Sequence, residues 1–244
     1  MIAFHLRGRP VYRYGLFYGV TFLFGYQFLA WIGSQSFLHN YPQLQKLLRD
    51  DVDNLVLLVI GAIMVGGRLG HVFLYDRAYY AAHITDIPKV REWGMSFIGG
   101  VMGVILVLIG IKNRYKLSWR EFLLLGDLIL CIVPVGILLW RIGNMLNREL
   151  YGKIVERGSE RYRILKTWWL LYDYKVDATP TRRINTNIIQ SIGEWWLTLL
   201  IGNLLLLQQR IKKMIRPWLI SGCFFIVYAS VRFGAEYLKD LPVS

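Results

Sequence analysis

The chain has 244 residues, 29 of them Lys or Arg against 16 Asp or Glu, giving a formal charge of +13, yet 55% of it is apolar and only 18% charged. Charges this sparse must concentrate between long apolar runs, which describes an integral membrane protein rather than a soluble domain. Nothing in such a chain supports a nucleic-acid partner: its basic residues read as loop charges that set topology, or as attraction for anionic lipid headgroups.

In chain order, Met1 to Pro10 is polar and no small-residue cleavage site comes after the first apolar run, so a retained N-terminus is expected rather than a secretory signal. Windows of about 19 residues, the length that crosses roughly 30 Å of hydrocarbon, pick out six candidate spans. They lie near 14–33, 54–75, 96–112, 121–141, 188–208 and 217–238. The fold class is therefore an all-α integral membrane protein of about six transmembrane helices, with residues 1–244 as a single polytopic domain. Cys131 and Cys223 both fall inside spans, where free cysteine acts as a small buried hydrophobe; no disulfide framework, metal or cofactor is expected.

The links at 112–120 and 209–216 each carry four Lys or Arg and no acid, the mark of short cytoplasmic loops. Both termini, the segment near 76–94 and residues 148–187 then face outward. Arg7, Arg9 and Arg13 before the first span argue for the opposite orientation and carry less weight than the two clean loops. Residues 148–187 are too polar to span and too long for a hairpin link, so a small polar extracytoplasmic subdomain is expected there, with Trp168, Trp169 and Tyr172 at the interface.

Arg68, Arg141 and Arg232 fall within or at the edge of spans. A cation there must face the bundle interior or an aqueous cavity and find partners; the bland alternative is a salt bridge that holds helices together. On a helix Arg141, Asn144 and Arg148 share a face, with Glu149 about 80° to one side. Arg232, Glu236 and Lys239 repeat that spacing, where the simpler reading is an internal ion pair between Arg232 and Glu236. Two such walls would form an anion pocket, and the planar arginine fork suits a phosphate. Gly15-x-x-x-Gly19, Gly66-x-x-x-Gly70 and Gly99-x-x-x-Gly103 permit close helix approach, which near Tyr14, Arg68 and His71 could also open a cavity; a lone His71 reads first as a hydrogen-bonded helix residue.

These residues resemble the prolipoprotein diacylglyceryl transferase family. RIGNMLNRELYG at 141–152 is similar to its signature, an Arg-x-Gly-Asn segment followed by Asn-x-Glu-Leu and an aromatic-Gly pair. YGLFYGVTFLFGY at 14–26, GGRLGHVFLYD at 66–76, GMSFIGGVMGV at 94–104 and VRFGAEYLKD at 231–240 resemble its first, second, third and sixth spans, in order. Asp127, Pro134 and Gly136 fall where the fourth carries such residues. The resemblance implies transfer of diacylglyceryl from phosphatidylglycerol to the lipobox cysteine in the signal peptide of a preprolipoprotein, at the bacterial cytoplasmic (inner) membrane. It implies Tyr14, Arg141, Arg232 and Glu236 as catalytic residues. Asn144, Asn147, Glu149 and Gly152, with Arg68, become the substrate-binding set.

The chain departs from the family pattern at several positions. Ile98 stands where the family has a histidine often treated as catalytic, Gln190 stands where the approach to the fifth span has a glutamate, and Arg148 replaces a glycine. Two other readings therefore stay open: a non-catalytic relative that binds anionic phospholipid or a lipoprotein precursor, and an anion or lipid-headgroup transporter. The latter lacks an inverted repeat or interrupted helix pair.

Overall fold

The computed structural model describes residues 2–6, 9–89, 94–147, 152–168, 170–173, 182–212 and 216–238; within these, some side chains, including those of Tyr14 and Asn147, lie outside the description. Among the described residues five helices are long and apolar enough to cross a bilayer, which makes this a multi-pass membrane protein. They are α1 (Arg13–Gly33), α3 (Val52–Leu74), α5 (Phe97–Arg114), α6 (Trp119–Asn147) and α10 (Leu219–Glu236). The candidate span near 188–208 is segmented instead: α8 (Thr186–Gln190) leads into a π-helical stretch, Ser191–Leu197, and then α9 (Thr198–Lys212). The chain forms two compact units, residues 24–125 and residues 1–23 with 126–244.

In the unit of residues 24–125, α2 (Pro42–Asp50) opens with proline at its first turn and buries Leu44, Leu47 and Leu48, the spacing of one helix face. Its N-terminus is held from α6: Glu121 Oε1 accepts from the N–H of Gln43 and Leu44 at 3.0 and 3.1 Å. The other oxygen of Glu121 accepts from the N–H and hydroxyl of Ser118, a capping box that starts α6. Helices α3 and α5 cross on their glycines. A Cβ on Gly66 would lie 2.5 Å from the carbonyl oxygen of Gly99, and one on Gly103 would lie 2.5 Å from that of Ala62. Only glycine allows this backbone approach, so the expected packing role of both motifs is realised.

After α3, the short helix α4 (Arg77–Ala82) and a turn lead back toward α5. This segment is fastened by Arg68, buried in α3. Its Nε donates to the carbonyl of Ile87 at 2.8 Å, its Nη2 to that of Asp86 at 2.7 Å and its Nη1 to that of Gly94 at 3.3 Å. Ser96 then caps α5 by accepting from the N–H of Gly99.

In the second unit, β1 (Ile2–Leu6) and β2 (Arg9–Tyr12) pair antiparallel ahead of α1. The first part of α1 packs on α6 through Thr21 against Gly136 and Tyr18 edge-on to Trp140 at 6.1 Å between centroids. Pro134 sits inside α6, where the missing N–H is tolerated in a membrane helix. Buried Asp127 of α6 accepts from the N–H of Trp218 at 2.8 Å and of Ser221 at 2.9 Å, and from the Ser221 hydroxyl, so it caps the start of α10 from a neighbouring helix. Within 148–187, the described parts include α7 (Glu160–Thr167) and an antiparallel pair of β3 (Leu171–Asp173) and β4 (Arg182–Ile184), with Tyr172 opposite Arg183.

Candidate functional site

Helix α6 continues without a break from apolar residues to Asn147, so the polar residues at its end are carried on the span itself. Arg141 and Asn144, one turn apart, are both buried, at 6% and 2% exposure. Arg148 and Glu149 lie outside the described residues, as does the side chain of Asn147.

Arg141 is held by a residue absent from the expected site, Glu194 of the π stretch. Nε of Arg141 donates to Glu194 Oε2 at 3.2 Å, and Nη2 donates to Oε2 at 2.9 Å and Oε1 at 3.1 Å. Glu194 is fully buried. The sequence offered one signal for it: Glu194 is the sole acid between residues 182 and 212, in a largely apolar stretch. It lies four residues beyond Gln190, whose side chain is also fully buried and whose amide nitrogen and oxygen find no partner among the described residues.

Arg232 lies on α10, one turn after Tyr228. The Tyr228 side chain, one turn earlier on α10, lies within electrostatic reach of Glu194, Arg232 and Arg141 together. Arg232 pairs loosely with Glu236, Nε to Oε2 at 3.8 Å, both about two-fifths exposed, so the internal ion pair allowed for from the i, i+4 spacing is present. Gly193 lies so close to Val231 that a Cβ would collide with its side chain, which brings the π stretch against α10 next to Arg232.

Gly152 closes the polar segment. Its N–H donates to the carbonyl of Ile184 at 2.9 Å, its own carbonyl accepts from Arg183 Nη1 at 3.3 Å, and a Cβ would lie 2.8 Å from the carbonyl oxygens of Ile184 and Leu238. Packing alone thus requires glycine there. Tyr14 lies in α1 one turn before Tyr18, which packs on Trp140 beside Arg141.

Of the expected site residues, Arg141, Asn144, Gly152, Arg232 and Glu236 lie in the second unit, as does the backbone of Tyr14 and Asn147. Arg68 lies in the other unit, where its guanidinium fastens the loop between α3 and α5. Beside it, His71 is held by Asp76 at 3.1 Å and stacks with Tyr75, as a hydrogen-bonded helix residue would.

A buried arginine on a span, aligned by a carboxylate, is a permanent cation that an anionic headgroup can meet. The sequence comparison agrees. The family description prolipoprotein diacylglyceryl transferase matches residues 1–243. The chain belongs to the prolipoprotein diacylglyceryl transferase family. Among its relatives, the phosphatidylglycerol–prolipoprotein diacylglyceryl transferase of Methylibium petroleiphilum is 30% identical over 91% of this chain and 78% of its own length. The enzyme of that name from Wolbachia pipientis subsp. Culex pipiens is 37% identical over 98% and 81%, and that of Cupriavidus metallidurans 28% identical over 98% and 80%. Membership in the transferase family accounts for the apolar helices and for the polar end of α6, where the similarity noted from the residues alone was densest.

Proposed function

We propose that this protein transfers the diacylglyceryl group of phosphatidylglycerol to the lipobox cysteine of a prolipoprotein signal peptide, at the bacterial cytoplasmic (inner) membrane. The observation that carries the reading is Arg141: a permanent cation, buried on a span and aligned by a carboxylate, in a chain of this family. Sulfur of the cysteine thiolate attacks the glyceryl carbon that bears the phosphate. The C–S bond forms, the C–O bond breaks, and glycerol phosphate leaves with the electron pair; the proton that the thiol gave up on becoming thiolate ends in solvent or on the departed phosphate. Arg141 and Arg232 stabilise the charge gathering on that phosphate. By the family resemblance, Tyr14 and Glu236 belong to the catalytic group, and Arg68, Asn144, Asn147, Glu149 and Gly152 to the substrate-binding set.

The test is incubation of purified protein with labelled phosphatidylglycerol and a lipobox peptide, with mass analysis of the peptide. A thioether-linked diacylglyceryl adduct is expected, together with preferential retention of phosphatidylglycerol over zwitterionic lipid. Arg141→Ala abolishes both, and Arg141→Lys is deficient because a point charge cannot make the bidentate contact. Absence of adduct from active-site-intact protein overturns the reading. Cysteine labelling from outside, reaching a thiol placed at Ser159 and missing one at Ser118, supports the outward orientation of 148–187.

Ile98, more than half exposed at the start of α5, favours a second reading, a relative that binds lipid without transferring it. A positioned base is worth about 10²- to 10⁴-fold, so Ile98→His raises transfer if proton removal limits the rate. No gain from pH 6 to 9 with lipid binding preserved supports the binding-only reading; strong wild-type transfer that the histidine fails to improve points to another base.

A further inference from the structure

We propose that Glu194 is the positioning residue for Arg141, gripping one edge of its guanidinium so that the opposite edge meets the lipid phosphate; this rests on the transferase reading above. A guanidinium has five N–H donors in a rigid fork. Glu194 takes Nε and one side of Nη2, through contacts of 2.9 to 3.2 Å. Among the described residues Nη1 makes no hydrogen bond, and the side chain keeps 7% of its surface accessible while Glu194 keeps none. The donors left over therefore belong to the edge that is not sealed.

The position of the carboxylate fits this role better than a role in stability. Desolvating two opposite charges offsets most of their attraction, so a buried pair is weak stabilisation compared with apolar packing. What such a pair does supply is a fixed plane for a cation that would otherwise rotate about its long stem. Glu194 sits in the π stretch, a winding common at functional sites. Gly193 beside it lets that stretch approach α10 at Val231, adjacent to Arg232. The carboxylate also neutralises Arg141 before substrate arrives, which allows the cation to wait inside a membrane protein without a bound anion.

Two predictions separate positioning from a structural pair. Glu194→Gln keeps shape and one acceptor but releases the guanidinium plane. Transfer should fall about 10- to 100-fold in kcat, the cost of a small misplacement at the reacting centre. KM for phosphatidylglycerol should stay level or fall, because the phosphate no longer meets a neighbouring carboxylate. The exchanged pair Arg141→Glu with Glu194→Arg should recover thermal stability without recovering transfer. Wild-type kcat in Glu194→Gln overturns the proposal. Faster transfer in that variant overturns it too, since Glu194 would then compete with the phosphate for Arg141. Equal losses in kcat, lipid affinity and melting temperature, with activity restored by the exchange, assign the pair to structure alone. If wild-type protein transfers nothing from phosphatidylglycerol, the functional reading fails and this proposal with it; transfer by wild type with an unaffected Glu194→Gln sinks the proposal alone.

Discussion

Gly66 of α3 faces the carbonyl of Gly99 on α5 so closely that a methyl group on Gly66 would stand 2.5 Å from that oxygen. Gly61, five residues earlier on the same helix, has nothing within 4 Å of the place its Cβ would take. Gly66→Ala should therefore destabilise by about 1–3 kcal/mol, the usual cost of overpacking a tight contact. Gly61→Ala should be neutral or slightly stabilising, as the residue lies inside a helix. Unfolding in detergent measures both, and similar values for the two would contradict the crossing.

Asp127 gives a second prediction, because it accepts from two N–H groups and a hydroxyl at the start of α10. Asp127→Ala leaves those donors without their acceptor and should cost about 1–3 kcal/mol. Asp127→Asn, which keeps one oxygen acceptor, should cost less. The order of the two denaturation midpoints is the check.

The loop fastened by Arg68 should open in acid. Lys89 at 2.6 Å and the Tyr79 hydroxyl at 2.9 Å hold the Asp86 carboxyl below its ordinary value. A carboxylate whose folded pKa is depressed adds stability that is fully present above the unfolded value, about 3.9, and lost as pH falls through the lower folded one. Protease access to residues 77–89 should rise as pH drops below about 4 in wild type. In Asp86→Asn it should already be high at neutral pH and change little.

Gln190 is fully buried with no partner for either amide atom among the described residues. An unsatisfied buried polar group costs about 1–3 kcal/mol, so Gln190→Met should raise the melting temperature. A lower melting temperature would mean that the amide is satisfied in the membrane.

How much was readable in the sequence depends on where the information lies. Long apolar runs mark spans directly, and five of six became single helices, most with ends within a few residues of expectation. The glycine spacing announced the α3–α5 crossing because a close approach has no other cheap solution. Arg232 and Glu236 were visible as an i, i+4 pair. Arg68 was different: its acceptors are backbone carbonyls at 86, 87 and 94, which carry no side-chain signature. Glu194 was missed because its partner lies 53 residues away and only the packing of α6 against the π stretch joins them. The paired strands were missed because each is only three to five residues long.

The π stretch between Gln190 and Thr198 sets the direction in which Glu194 points. A π turn arises when a helix holds a surplus residue that the α winding cannot absorb. Deleting Ile192, which is exposed, would let the ladder close at the ordinary pitch of the α-helix. The turns beyond the stretch would keep nearly their azimuth, while Glu194 itself would move one residue closer to Gln190 along the helix and lose the wider turn on which its carboxylate now stands. The surplus residue thus acts as a local spacer: it leaves Asn185 capping α8 at one end while setting the place of a carboxylate at the other.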